Sequence, residues 1–225
     1  MKQTPDIPRA GDLFSTQHTI AAGLFSRNPL TWEVLDCIRS FIEQLGPMLD
    51  PAQFEHRGNH IYIARSASVA PTAFIGDHTI IDEHAEIRHC AYIRGSAIIG
   101  KHAVVGNSCE LKNCILFDDV QVPHFNYVGD SILGWKAHIG AGAVTSNVKS
   151  DKTPVSVRCG GSLIATGRKK LGAMLGDHAE IGCNSVLCPG TIVGMNTTIY
   201  PLSRPRGVIP ADSIYKSADN IVHKI

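Results

Sequence analysis

The chain has 225 residues, with 21 Lys and Arg against 20 Asp and Glu, a formal charge of +1 and a pI near 7.7. That balance excludes a protein-wide field for nucleic acid or an anionic membrane, so any phosphate recognition has to be local. The opening MKQTPDIPRAGD has no apolar signal core, and no stretch approaches the ~20 apolar residues that cross a bilayer; the sequence predicts a soluble, cytoplasmic protein with no nucleic-acid or membrane partner.

Residues 1–59 read as an N-terminal segment built around one helix. In PLTWEVLDCIRSFIEQLG, residues 29–46, Leu35, Ile38, Ile42 and Leu45 fall on one face and Val34 and Phe41 widen it, the spacing of an amphipathic helix. Asn28 or Thr31 is placed to cap it, Pro29 suits its first turn, and Gly46-Pro47 stops it. Its apolar face is expected to dock over the N-terminal end of the domain that follows, covering an edge that would otherwise aggregate.

From Ile63 every sixth residue is apolar: Ile63, Val69, Ile75, Ile81, Ile87, Ile93, Ile99, Val105, Leu111 and Phe117, ten without a miss. Four positions after most of them stands a small residue, as at Ala67, Ala73, Ala85, Ala91, Ala97, Ala103 and Cys109, and Gly often follows the aliphatic directly, as at Gly76, Gly100 and Gly106. The period returns at Leu133 and Ile139, and again at Leu175, Ile181, Leu187, Val193 and Ile199. A helix repeats its apolar face at 3.6 residues and a strand at 2, so a period of six requires short strands separated by turns. Three such strands close one triangular coil, and stacked coils form parallel sheets. The sequence therefore predicts an all-β parallel β-helix over residues 60–205, with aliphatic and small residues inside and glycine supplying unusual φ at the turns. The seven cysteines, odd in number and without a C-x-x-C pair, read as reduced fillers, and no metal ligands are assigned. His84 and His102 occupy equivalent turn positions one coil apart and are expected to stack about 5 Å from each other.

Two breaks interrupt the repeat. Between Phe117 and Leu133, around VPHFNYVGDS, a loop is expected to leave the prism. Between Thr145 and Met174, TPVSVR and SLIAT flank Gly160-Gly161, the signal of a β-hairpin, which ends in the basic run Arg168-Lys169-Lys170. Residues 206–225 read as a C-terminal arm.

The segments ELKN, VPHFNYVGDSILG, HIGAGAVTSN and GRKKLGAMLGD resemble the archaeal sugar-1-phosphate nucleotidylyltransferase/acetyltransferases. The glucosamine-1-phosphate acetyltransferase domain of the bacterial bifunctional enzymes that make UDP-N-acetylglucosamine shares the same skeleton, and the resemblance covers roughly residues 60–210. It implies a left-handed helix, a homotrimer in which two subunits contribute to each active site, acetyl-CoA as co-substrate without a metal, and an amino sugar 1-phosphate as acceptor. Arg94, Lys112, His124, Tyr127 and Asn147 fall at the family's positions for sugar-phosphate binding and catalysis, and Lys152 lies near a family lysine. For CoA the resemblance points to Gly140, Ala141 and Gly142 beside the thioester and to Arg168, Lys169, Lys170, Arg204 or Arg206 for its phosphates. His138 and Val148 depart from the bacterial pattern, where Asn and Tyr stand, and leave the identity of the sugar open. The first sixty residues hold neither the Gly-rich loop nor the space of a nucleotidylyl domain, so uridylyl transfer is not expected.

The residue chemistry agrees with these roles. A sugar amine must lose a proton as it attacks a thioester, and a neutral imidazole, with its ordinary pKa near 6.5, is suited to take it; His124 is the candidate base. Arg94 and Lys112 are eighteen residues apart, one coil, and so stack at neighbouring heights to clamp a phosphate. Tyr127 is placed to orient the sugar, Asn147 to contact the acetamido group, and the amides of residues 140–142 to stabilise an oxyanion. The alternative of a different class is a non-catalytic trimeric scaffold or regulatory partner of a nucleotidylyltransferase. A zinc hydratase of the γ-carbonic-anhydrase type would need three converging histidines; His102 and His138 are thirty-six apart, but the offset between them breaks the stacking and position 143 is Ala.

Overall fold

The structure, a computed structural model, describes residues 7–28 and 30–224. It is a parallel β-helix of three faces, a solenoid of stacked coils. The first face runs through Ile61–Ala64, Thr79–Ile81, Ala97–Ile99, residues 114–116 and 131–133, Ala173–Leu175, Thr191–Val193 and Val208–Ile209. The second runs from Ser68–Val69 through Glu86–Ile87, Val104–Asn107, Gln121–His124, His138–Ile139, Glu180–Ile181 and Thr198–Ile199 to Ser213–Ser217. The third carries Phe74–Ile75, Tyr92–Ile93, residues 110–111 and 127–129, Val144–Thr145 and Val186–Leu187. Ile63, Ile81, Ile99, Leu116, Leu133, Leu175, Val193 and Ile209 form one buried column up the inside of the first face.

The turn glycines serve another purpose than the one expected. The left-handed backbone falls three residues after the aliphatic, on His78, Cys90, Ser96, His102 and Asp119, with φ between 50 and 60°. The glycine directly after the aliphatic is needed for closeness instead. A Cβ on Gly106 would lie 1.6 Å from the carbonyl oxygen of Pro123 in the next coil.

At the first break no loop leaves. Ile93 pairs with Leu111, eighteen residues on, but Ile99 pairs with Leu116 and Val105 with Val122, both seventeen on, so the coils here are shortened by one residue. Leu116 therefore takes the inward place assigned to Phe117. Phe117 packs at the corner against Phe14 and Phe25 instead, with ring centroids 5.2 and 5.4 Å away. The residues of VPHFNYVGDS lie in the strands Gln121–His124 and Tyr127–Leu133, or in the turn between them.

The second break does extend from the prism. Ser156–Cys159 pairs antiparallel with Ser162–Ala165 across Gly160-Gly161, whose φ values of 53 and 79° suit a two-residue hairpin turn. Val155 and Val157 anchor the hairpin in the core. The expected C-terminal arm instead continues the solenoid: Val208–Ile209 and Ser213–Ser217 pair in parallel with the coil below, and only Asn220–His223 turns back antiparallel.

The N-terminal segment lies along the side of the solenoid rather than across its end. Thr31–Asp36 is a 3-10 helix and Ile38–Leu45 an α-helix, set against Ala97–Ile99 and Glu110–Leu116. Trp32, Val34, Leu35, Ile38 and Ile42 are buried there, together with the outward side chains of the first face, Ile80, Ile98, Ile115, Ile132, Met174 and Ile192. The capping expected from Asn28 or Thr31 is not made. Glu33 accepts from the Leu30 amide at 3.2 Å, Asn28 closes the preceding helix through Leu24 O at 2.7 Å, and Thr31 Oγ1 is buried without a partner. Pro29 lies outside the described residues.

Cys109, Cys114 and Cys188 fill interior sites as expected, and burial pushes the Cys114 thiol up to about 12. Cys90 and Cys183 instead stand exposed. No helix is long and apolar enough to cross a membrane among the described residues.

Candidate active site

The site is built where the first and third faces meet. Here the strands Glu110–Leu116 and Tyr127–Leu133 run through the corner without interruption, although Asn113 and Asp130 keep left-handed φ of 49°. Arg94 and Lys112 stand at adjacent heights, as their spacing implies, and line one groove of about 430 Å³ with Arg39, Asn59, Asp77 and His78. Arg94 Nη1 is 2.9 Å from Glu110 Oε1.

Asp130 is the hub of this corner, and sequence reasoning missed it. It is 3% exposed, accepts from Asn113 Nδ2 at 2.9 Å and from Asn147 Nδ2 at 2.6 Å, and faces Lys112 Nζ at 3.6 Å. Asn147 Nδ2 also donates to the Tyr127 hydroxyl at 3.0 Å. Lys112, Tyr127 and Asn147, three of the residues singled out from the sequence, are thus joined through one buried carboxylate. The Tyr127 ring lies flat along the third face over Gly129, where a Cβ would be 2.3 Å from its hydroxyl. Burial pushes that hydroxyl's pKa upward, only partly offset by the Asn147 hydrogen bond.

His124 sits at the opposite edge of the third face, exposed, at the end of Gln121–His124. Its backbone is fixed on both sides: its amide donates to Asn126 Oδ1 at 3.0 Å and its carbonyl accepts from Gly142 at 3.0 Å. Asn126, buried, also donates to Gly140 O at 2.8 Å and Ala143 O at 3.0 Å. The corner beneath the imidazole is therefore rigid while the ring is open to solvent.

Two of the three amides proposed as oxyanion donors, those of Gly140 and Gly142, are otherwise engaged. The Gly140 amide donates to Ile181 O and the Gly142 amide to His124 O, so coil-to-coil hydrogen bonds consume both, and neither points at a ligand. Gly142 supplies a left-handed turn, φ 71°.

The cations expected for CoA separate. Arg168 pairs with Asp36 of the N-terminal segment and donates to the Lys170 carbonyl, which ties the base of the hairpin to that segment. Lys169 is exposed beside it. Arg204 and Arg206 share a groove of about 540 Å³ with Arg158 and Tyr215, and Arg158 and Arg206 also line a second groove of about 490 Å³ under the hairpin. Arg158, which the sequence reading passed over, alternates with buried Val157 on the hairpin strand and so faces outward. Lys152 is exposed in the insertion with φ 59° and lines neither groove.

His138 is on the second face, 2.8 Å from Glu180 Oε2, so the three-histidine hydratase site is not assembled. His84 and His102 stack with centroids 5.0 Å apart, as their spacing implied.

Fold and sequence together define a class, the hexapeptide-repeat parallel β-helix. The family described as the GMPPB C-terminal domain matches residues 77–164. The bifunctional sugar-1-phosphate nucleotidylyltransferase/acetyltransferase of Sulfurisphaera tokodaii is 37% identical over 94 residues, 42% of this chain and 23% of that protein. The bifunctional protein GlmU of Methanococcus vannielii is 34% identical over 118 residues, 52% of this chain and 28% of its own length. An uncharacterized acetyltransferase, YaiX of Escherichia coli O6:K15:H31, is 34% identical over 94 residues, 42% of this chain and 41% of that one. The chain thus spans less than a third of the bifunctional relatives it matches. Among solved structures, the acetyltransferase domain of PglB from Neisseria gonorrhoeae with acetyl coenzyme A is 14% identical with a TM-score of 0.33, covering 72% of this chain and 57% of that one. Perosamine N-acetyltransferase from Caulobacter crescentus with CoA and GDP-perosamine is 18% identical with a TM-score of 0.28, covering 73% and 56%.

Proposed function

We propose that this chain is an acetyl-CoA-dependent N-acetyltransferase of an amino sugar 1-phosphate, glucosamine-1-phosphate or a close relative, working as a homotrimer in nucleotide-sugar synthesis. The observation that carries the reading is the corner at which Lys112, Asp130, Tyr127 and Asn147 form one connected network beside Arg94. Two cations there match a phosphate, and a phenol and an amide match sugar hydroxyl and acetamido groups. The amine nitrogen attacks the thioester carbonyl, the C–N bond forms as the C–S bond breaks, and the amine proton passes to His124 and then to the departing CoA thiolate. Arg158, Arg204 and Arg206 flank the grooves at the hairpin, where the anionic end of CoA is received.

The test is CoA release across a panel of amino sugars with and without a 1-phosphate. Turnover is expected to depend on both amine and phosphate, and Lys112→Ala is expected to raise the KM for the sugar phosphate. No CoA release with any member of the panel would return the chain to a scaffold role.

A further inference from the structure

The N-terminal helix meets the first corner of the solenoid at a cluster that adjoins the Arg94–Lys112 groove through His78 and to which the proposed acetyl transfer assigns no step. Glu43 comes from the helix Ile38–Leu45, while His60 and His78 hold equivalent left-handed corner positions one coil apart, with φ of 57 and 56°. That repetition stacks the two imidazoles, with centroids 5.0 Å apart and 25° between planes. His78 is 5% exposed and its Nε2 lies 2.9 Å from Glu43 Oε1. One donor atom from each of the three residues lies within 4.8 Å of the others.

His60 gives this cluster its second, independent observation: its Nδ1 is buried and has no hydrogen-bond partner. A buried, unsatisfied polar atom is uncommon and costs free energy unless something binds it or its ring. The other histidine stack makes a useful contrast. His84 and His102 sit at the same 5.0 Å, yet no three-donor cluster forms around them among the described residues.

We propose that Glu43, His60 and His78 bind a divalent transition-metal ion of borderline softness, Zn²⁺ being the best match. Two imidazole nitrogens and one carboxylate oxygen are a donor set that Zn²⁺ accepts, whereas Mg²⁺ and Ca²⁺ favour all-oxygen surroundings. Donors at about 2.0–2.1 Å from a tetrahedral ion lie roughly 3.3–3.5 Å from one another, so the cluster closes by side-chain rotation. Arg39, whose Nε is 3.2 Å from the same Glu43 oxygen, has a side chain 65% exposed and is free to turn into solvent as the ion arrives. The fourth position is left to water. The ion fastens the N-terminal helix to the first two coils of the solenoid.

The experiment uses the full chain, stripped of metal and titrated with Zn²⁺ against a chromogenic chelator, with thermal midpoints measured in parallel. One Zn²⁺ per chain is expected, with a higher midpoint in its presence. Glu43→Gln preserves the side chain's shape and a hydrogen bond to His78, and it is expected to weaken Zn²⁺ at least tenfold, as is His60→Asn. His84→Asn is expected to bind like the wild type. Absence of stoichiometric uptake by the wild type, unchanged affinity in Glu43→Gln, or an equal loss in His84→Asn overturns the site; because Glu43 lies on the surface of the helix, that variant tests it even if His60→Asn fails to fold.

Discussion

His124 and Tyr127 are three residues apart but meet different surroundings. His124 is exposed above a rigid corner, and as the base it is expected to be worth 10²–10⁴ in rate, so His124→Ala should lose about that much turnover while acetyl-CoA binding, followed by calorimetry, stays near wild type. Tyr127 is half-buried and its proton is held more tightly in the folded chain than in the unfolded one. The stability this contributes is complete below the ordinary phenol value of about 10 and is lost as pH rises through the higher folded value. Phenolate absorbance that disappears in Tyr127→Phe should therefore appear above the ordinary phenol value of about 10. Arg94 and Lys112 were legible because the period of six runs unbroken to Leu111, which fixes their stacking. Asp130 was not, because it occupies a left-handed corner position where Asp is an ordinary turn residue and nothing local marks it as buried. Asn126 carried a readable sign: it stands where Ala91, Cys109 and Ala143 stand in neighbouring coils, a polar residue in an inward small-residue place.

Strands of two to four residues make most of this fold, so each depends on the coil beside it. Gly106 shows the dependence most directly. Gly106→Ala forces a methyl against the Pro123 carbonyl and is expected to cost about 1–3 kcal/mol, read as a lower urea midpoint with an unchanged m-value. The hairpin was legible from its Gly-Gly turn, whose geometry is local. The shortened coils were not, since losing one residue per turn shifts the apolar column off any multiple of six and imitates a loop. The lateral course of the N-terminal segment had its own signature in the doublets Ile80-Ile81, Ile98-Ile99, Ile115-Leu116, Ile132-Leu133, Met174-Leu175 and Ile192-Val193. One member of each points inward and the other outward, which is the pattern of a sheet covered on both sides.

At the scale of the whole molecule the three faces are not equivalent. The N-terminal segment covers the first, Glu86, His138 and Glu180 stud the second, and the third presents Phe74, Tyr92 and Val186 to solvent, with the Phe74 and Tyr92 rings 5.4 Å apart. Trimer assembly is expected through the third face, which also carries Tyr127 and ends at His124. Light scattering at micromolar concentration should give a trimer for the wild type and smaller species for Phe74→Glu/Tyr92→Glu, whereas a monomeric wild type would overturn the assembly. The segment over the first face has a mechanical consequence. A solenoid whose coils touch only their neighbours peels from either end, coil by coil. Here Ser15 is bonded to Asp177, 162 residues away, His18 to Asp118, Glu43 to His78 and Asp36 to Arg168, so a single crosswise splint is riveted at several heights. Lifting the N-terminal end loads rivets far along the stack, which converts piecemeal unravelling of the coils from His78 to Asp177 into one cooperative rupture.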